Sequence, residues 1–226
     1  MIGKLVVIEG LDGAGKATQT RLLLKKLKKE KYQTIIFDFP QYHKFFGKLI
    51  GAYLRGEFGG AEEVSPYFAS IFYAFDRWSV VEEIKKALNE GKIVLANRYS
   101  TANFLHQSGK IKKQKKRIQF LRWLECLEFD FLKIPKPDLV FFLNMPPCLG
   151  QKLVKNKAPR TYLKKKKQDI HEKSNKHLNT AKKQAPHLIK KYHWQKINCS
   201  RGGRVLSRQE VTQKIWEKMV KMLIKK

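Results

Sequence analysis

The sequence predicts an α/β fold of three layers: a five-stranded parallel sheet covered by helices on both faces, with a mobile lid. Three observations lead there. Five short runs rich in β-branched and aromatic residues are continuously apolar, as in strands buried on both faces. Segments with helical spacing separate them, and strand–helix alternation builds a parallel sheet. The first strand-to-helix turn is glycine-rich and ends in lysine. Residues 1–226 read as one domain, with enough hydrophobic (42%) and aromatic (12%) content for one sizeable core.

Residues 4–9 (KLVVIE) supply the first strand. The helix over 16–31 repeats Leu22, Leu23, Leu24 and Leu27 before a lysine-rich end. A second strand, 34–39 (TIIFDF), precedes a helix over 64–89 that opens at Ser65-Pro66 and stops at Glu90-Gly91. Strands follow at 92–96 (KIVLA) and 138–143 (DLVFFL), with a weaker one at 194–198 (WQKIN). A lysine-rich patch over 155–167 reads as exposed, and 169–192 as a long polar helix. The last helix, 207–223, has Ser207 as N-cap and Glu210 as its capping-box partner.

The charge is lopsided: 48 basic against 19 acidic residues, net +29. Such a field attracts polyanions, and nucleic acid is possible. It is not favoured, because the excess is lysine rather than arginine. The runs 110–117 (KIKKQKKR) and 164–167 also lack interleaved aromatics for base stacking. A solvated lysine surface is the plainer reading. No apolar run approaches the roughly 18 residues of a membrane span, and no leader-like pattern follows Met1. Cys126, Cys148 and Cys199 show no metal spacing and read as buried free thiols. A cytoplasmic protein without a membrane partner is expected.

Residues 10–18, "GLDGAGKAT", fit the pattern G-x-x-x-x-G-K-[ST] at Gly10, Gly15 and Lys16. They depart from it at Ala17, which lacks the hydroxyl that ligates Mg²⁺ in such loops. A strand precedes the stretch and a helix follows, so Gly13, Ala14 and Gly15 can turn backbone N–H groups inward. The helix N-terminus, with Thr18 on its first turn, adds its dipole, and Lys16 adds a mobile charge. This is a phosphate-binding P-loop, and the fold is of the P-loop NTPase kind.

With Asp12 inside it, this loop resembles the GxDGxGKxT loop of thymidylate kinases. Four more stretches follow in that family's order: FPQY (39–42), YAFDRW (73–78), NRYS (97–100) and PKPDLVFFL (135–143). The resemblance runs from about residue 2 to 145, with a weaker tail through a lid at 152–177. It implies Mg²⁺-dependent transfer of the γ-phosphate of ATP to dTMP, in a homodimer. The acceptor is already an anion, so positioning and charge neutralisation suffice without a general base. By resemblance, Lys16, Arg98, Arg160 and Asp12 are the catalytic set, and Gly10, Asp12, Gly13, Ala14, Gly15, Lys16, Ala17 and Thr18 hold the ATP phosphates. Asp12, Phe39, Pro40, Tyr42, Tyr73, Arg77, Arg98, Asn103 and Gln107 line the dTMP pocket. Within it Arg77 meets the thymine edge, Tyr73 stacks, and Arg98 holds the acceptor phosphate. Asp169 and Glu172 join Arg160 in the lid, and 198–204 approaches adenine.

Duller readings stand beside these. Arg77 next to Asp76 could be a surface ion pair, and Tyr73 could be core with Phe72 as the stacker. The metal positions depart from the family, since Ala17 lacks the hydroxyl and Asn97 replaces the aspartate of D-R-Y. Asp12 and Asn97 are then the expected Mg²⁺ residues, with Glu9, Thr18, phosphates and water as other oxygen donors. Two other functions remain open: a kinase for another deoxynucleoside or its monophosphate, and a catalytically weak nucleotide- or nucleic-acid-binding protein.

Overall fold

The computed structural model describes residues 3–155, 163, 169–170 and 175–224. Strand β1 (Lys4–Gly10) leads into helix α1 (Lys16–Lys29), then β2 (Thr34–Asp38), α2 (Phe45–Leu54), α3 (Pro66–Trp78) and α4 (Val81–Asn89). After these come β3 (Ile93–Asn97), α5 (Ser100–His106), α6 (Gln114–Glu125), β4 (Leu139–Asn144), α7 (Pro147–Lys155) and α8 (Asn175–Lys191). The chain closes with β5 (Gln195–Asn198), a small antiparallel ribbon of β6 (Ser200–Arg201) and β7 (Arg204–Val205), and α9 (Arg208–Met219). The five expected strands form one parallel sheet, ordered β2-β3-β1-β4-β5.

β1 at the centre shows why the sheet needs cover on both faces. Leu5 and Val7 enter one core cluster, with Ile84, Phe104 and Phe120, while Val6 and Ile8 enter the other, with Leu23, Leu27 and Ile215. All four β1 side chains are fully buried, and each contributes on the order of 1.5–3 kcal/mol. The capping box holds as expected: Glu210 N–H donates to Ser207 Oγ at 3.1 Å, and Ser207 N–H donates to Glu210 at 2.8 Å.

Several expectations need correction. The helix over 64–89 is two helices, broken where the Ser79 hydroxyl donates to the Asp76 carbonyl at 2.7 Å and Val80 leaves helical geometry. Only Cys199 is buried; Cys126 and Cys148 are exposed. The lysine run is solvated in its middle, but its ends are structural. Lys110 Nζ donates to Tyr53 Oη at 2.9 Å, and Arg117 caps the Ile111 carbonyl at 2.6 Å. Arg160, Glu172 and the run 164–167 lie outside the described residues. Among the described residues, no helix is long and apolar enough to cross a membrane.

Lys110 is a test of the fold. Burial pulls its pKa down to about 8 from 10.5, against the opposing charge of Glu62. The unfolded chain therefore binds the extra proton between those values, and the lysine's share of stability rises as pH goes from 8 to 10.5. Against Lys110→Met in chemical denaturation, the native chain should gain roughly 1–3 kcal/mol over that window. A flat difference would contradict the burial.

Candidate active site

The glycine-rich turn is built as its sequence requires. Gly10, Gly13 and Gly15 take positive φ of 156, 78 and 88°, which side-chain-bearing residues rarely adopt. A Cβ on Gly13 would lie 2.1 Å from the Gly150 carbonyl, so the start of α7 clamps the loop from outside. Lys16 Nζ donates to the carbonyls of Gly10 (2.8 Å) and Leu11 (3.0 Å) and is held across the loop mouth.

From this loop a cavity of about 550 Å³ runs between the carboxyl ends of β1, β2 and β3 and helices α3 and α5. Ligand pockets have this size, and open α/β sheets bind at this end. Asp12, Gly13, Gly15, Lys16 and Ala17 line one end. Phe39, Pro40, Tyr42, Tyr73, Arg77, Asn103 and Gln107 line the other, with Asn97 and Arg98 between. Gly10, Ala14 and Thr18 belong to the loop but do not line the cavity.

Arg98 sits one residue past β3 in left-handed conformation, φ 64°. Its Nη2 donates to Asp12 Oδ1 at 2.6 Å, Nη1 lies 3.1 Å from His106 Nε2, and Glu9 is 3.9 Å away. Burial opposes its charge, yet Asp12 and then Glu9 more than offset this and raise its pKa. Because guanidinium only donates, His106 presents its Nε2 lone pair to it. Glu9 is fully buried. It accepts from Gly10 N–H at 2.9 Å and from Thr101 Oγ at 2.8 Å, so it braces the loop.

Asp76 does not pair with Arg77. Its Oδ2 accepts the Gln41 N–H at 3.0 Å, tying the FPQY turn to α3, and the Phe39–Pro40 bond in that turn is cis. Tyr73 faces the cavity, whereas Phe72 packs on Phe58 and Phe68. Arg77, 2% exposed, is gripped by Glu128 through Nε (2.8 Å) and Nη2 (2.5 Å). Glu128 also accepts from Asn103 Nδ2 at 3.1 Å, and that amide nitrogen donates to the Ser70 carbonyl as well. Arg77 Nη1 and the Asn103 carbonyl oxygen take no part in these bonds, and both residues line the cavity. Tyr99 also lines the cavity, and burial raises its pKa despite Arg77 nearby.

The thymidylate kinase family model matches residues 8–201, most of the chain. The chain belongs to the thymidylate kinase family. It is 34% identical over 149 residues to thymidylate kinase of Plasmodium falciparum and 32% identical over 143 residues to the human one. Those stretches cover 66% and 63% of this chain and 65% and 61% of the relatives, so the match spans less than two thirds of their length. The solved structure of thymidylate kinase from Candida albicans shares the fold, with TM-score 0.71 and 23% identity over 97% of this chain and 92% of that one.

Against the thymidylate kinase motifs, sequence reasoning missed Glu128, His106, Tyr99 and Asp38. Glu128 lies on a π-helical turn, Cys126–Phe131, and is wholly buried. Its signal was a pair of acids, Glu125 and Glu128, inside the otherwise apolar string LECLEF, and only the fold shows that Glu128 is the buried one. The residues present suit a hard cation, being oxygen donors. Asn97 is 9% exposed, and its Oδ1 has no hydrogen-bond partner among the described residues. Those residues contain no cluster of three or more His, Cys, Asp or Glu side chains that could hold a metal by itself.

Proposed function

We propose that the protein transfers the γ-phosphate of ATP to dTMP, giving ADP and dTDP, with Mg²⁺. The observation that carries the reading is one cavity with a P-loop at one end, Arg98 midway and the Arg77–Asn103 pair at the far end. A homodimer in the cytoplasm is the setting the family resemblance suggests. Lys16 and loop N–H groups would hold the donor phosphates, Arg98 the acceptor phosphate, and Arg160 would bring a further charge from the lid. Aligning two anions and neutralising them is most of the catalysis such a reaction needs. When bound, Mg²⁺ would supply charge neutralisation for the nucleotide phosphates. Asp12 and Asn97 would hold it, with phosphates and water completing its shell.

The base end supports a thymine-like acceptor. Arg77 Nη1 is a donor and the Asn103 carbonyl an acceptor, complementary to the O4 and N3–H of thymine. Cytosine presents N4 donors and an N3 acceptor, opposite at both points. A site built to hydrogen-bond one edge rejects the wrong one strongly, because its own buried groups are left unpaired. In an ADP-release assay across dTMP, dUMP, dCMP, dGMP and dAMP, kcat/KM for dTMP should exceed that for dCMP by roughly 10²-fold or more. No turnover with any acceptor, alongside intact ATP binding, would leave a nucleotide binder and overturn the kinase reading.

A further inference from the structure

The aspartate missing at position 97 has a counterpart one strand away. β2 pairs with β3 so that Asp38 lies directly opposite Asn97 at the strand ends. Asn97 Nδ2 donates to Asp38 Oδ1 at 2.6 Å. This bond fixes the amide orientation, because a carbonyl oxygen at that distance would face the carboxylate with no proton between them. Asn97 Oδ1 is therefore the end turned away from Asp38, and it is a buried acceptor with no hydrogen-bond partner. Both side chains line the same cavity as Lys16 and Ala17, and Asp38 is exposed within it.

A strand-end hydrogen bond alone would need no second acceptor left bare. Here the sheet sets a carboxylate and an amide at adjoining strand ends, in the lining of the cavity that also holds Lys16 of the phosphate loop, and the buried amide oxygen is left for a donor or a cation to satisfy. Mg²⁺ keeps most of its waters and takes its remaining ligands from nucleotide phosphates, so one carboxylate and one carbonyl suffice to orient its hydrated shell.

We propose that Asp38 supplies the carboxylate that Asn97 lacks, and that Asp38 with Asn97 Oδ1 forms the strand-end half of the divalent-cation site to which Asp12 belongs from the loop, filled together with nucleotide. The identity of the cation rests on the kinase reading; the pairing of the two side chains does not. If this is right, the two strands can exchange their side chains. Asp38→Asn leaves two amides and no carboxylate, while Asp38→Asn with Asn97→Asp keeps one of each.

Mn²⁺ titrated into the full-length protein with saturating ADP, followed by the paramagnetic resonance of free Mn²⁺, reads the site without turnover. Asp38→Asn should weaken Mn²⁺ binding about tenfold or more, as loss of a metal-orienting partner does. ADP binding in EDTA should stay within about twofold, and the double swap should return Mn²⁺ affinity to within about threefold of the native chain. Native Mn²⁺ affinity in Asp38→Asn, or a swap no better than the single variant, overturns the proposal. Should Asp38→Asn lose ADP binding in EDTA, Asp38→Ser is judged by the same criterion. Absence of dTMP turnover in the native chain would count against the kinase reading and leave the Mn²⁺ result standing.

Discussion

Replacing Arg98 with alanine should lower kcat/KM for dTMP about 10³-fold, in the range that losing a phosphate-neutralising arginine costs. The guanidinium is the positive centre between Asp12, at 2.6 Å, and Glu9, at 3.9 Å. Without it an acceptor phosphate placed here, as the proposed reaction requires, would meet two carboxylates with only Lys16, 3.9 Å from Asp12, to offset them. Lysine should recover only part of the loss, because an ammonium cannot span Asp12 and His106 as the planar fork does. The backbone gives an independent check. Arg98 holds φ at 64°, a conformation glycine adopts freely and alanine does not. Arg98→Gly should therefore melt about 2–4 °C above Arg98→Ala, for roughly 1 kcal/mol in a chain of this size, while both show the same loss of kcat/KM. Arg98→Ala within tenfold of the native kcat/KM would mean the acceptor phosphate lies elsewhere.

Removing Glu128, which stands behind the cavity wall, should cost more stability than removing any single side chain that lines it. Glu128→Ala leaves the fully buried Arg77 with an uncompensated charge, a change worth about 3–5 kcal/mol. In a chain of this length that is a fall in melting temperature of roughly 10 °C. Glu128→Gln keeps the shape and one acceptor but removes the charge, so it should fold with a smaller loss. Its diagnostic effect is on recognition. With Arg77 no longer fixed through Nε and Nη2, and Asn103 losing one of its two amide partners, KM for dTMP should rise about tenfold, close to 1.4 kcal/mol, with kcat changing less. A purely structural Glu128 would lower stability in both variants and leave KM and the dTMP-to-dCMP preference untouched.

These two residues divide what was legible beforehand from what was not. Arg98 follows a buried apolar strand and sits in a motif, so position and residue type announced it. Glu128 is 51 residues from Arg77 in sequence, and local pattern carries no information about a partner at that range. Asp76 shows the same limit from another side. Its neighbour in the chain suggested an ion pair, but helix geometry points successive side chains in different directions, and the FPQY turn claimed it instead. The break between α3 and α4 was hidden because apolar spacing continues across Ser79.

The sequence alone determined the strand set and the phosphate loop, because hydrophobic period, glycine conformation and charge type act within a few residues; most of the cavity lining was legible only through the resemblance to the thymidylate kinase motifs. It also exposed the two departures at Ala17 and Asn97. Tertiary structure decided which buried charges are paired, that Glu9 braces the loop, that Tyr73 rather than Phe72 faces the cavity, and that Asp38 stands beside Asn97. Each of these depends on parallel strand register or helix packing. Those bring residues tens of positions apart into contact, and they are settled by the collective burial of the core rather than by any short stretch of chain.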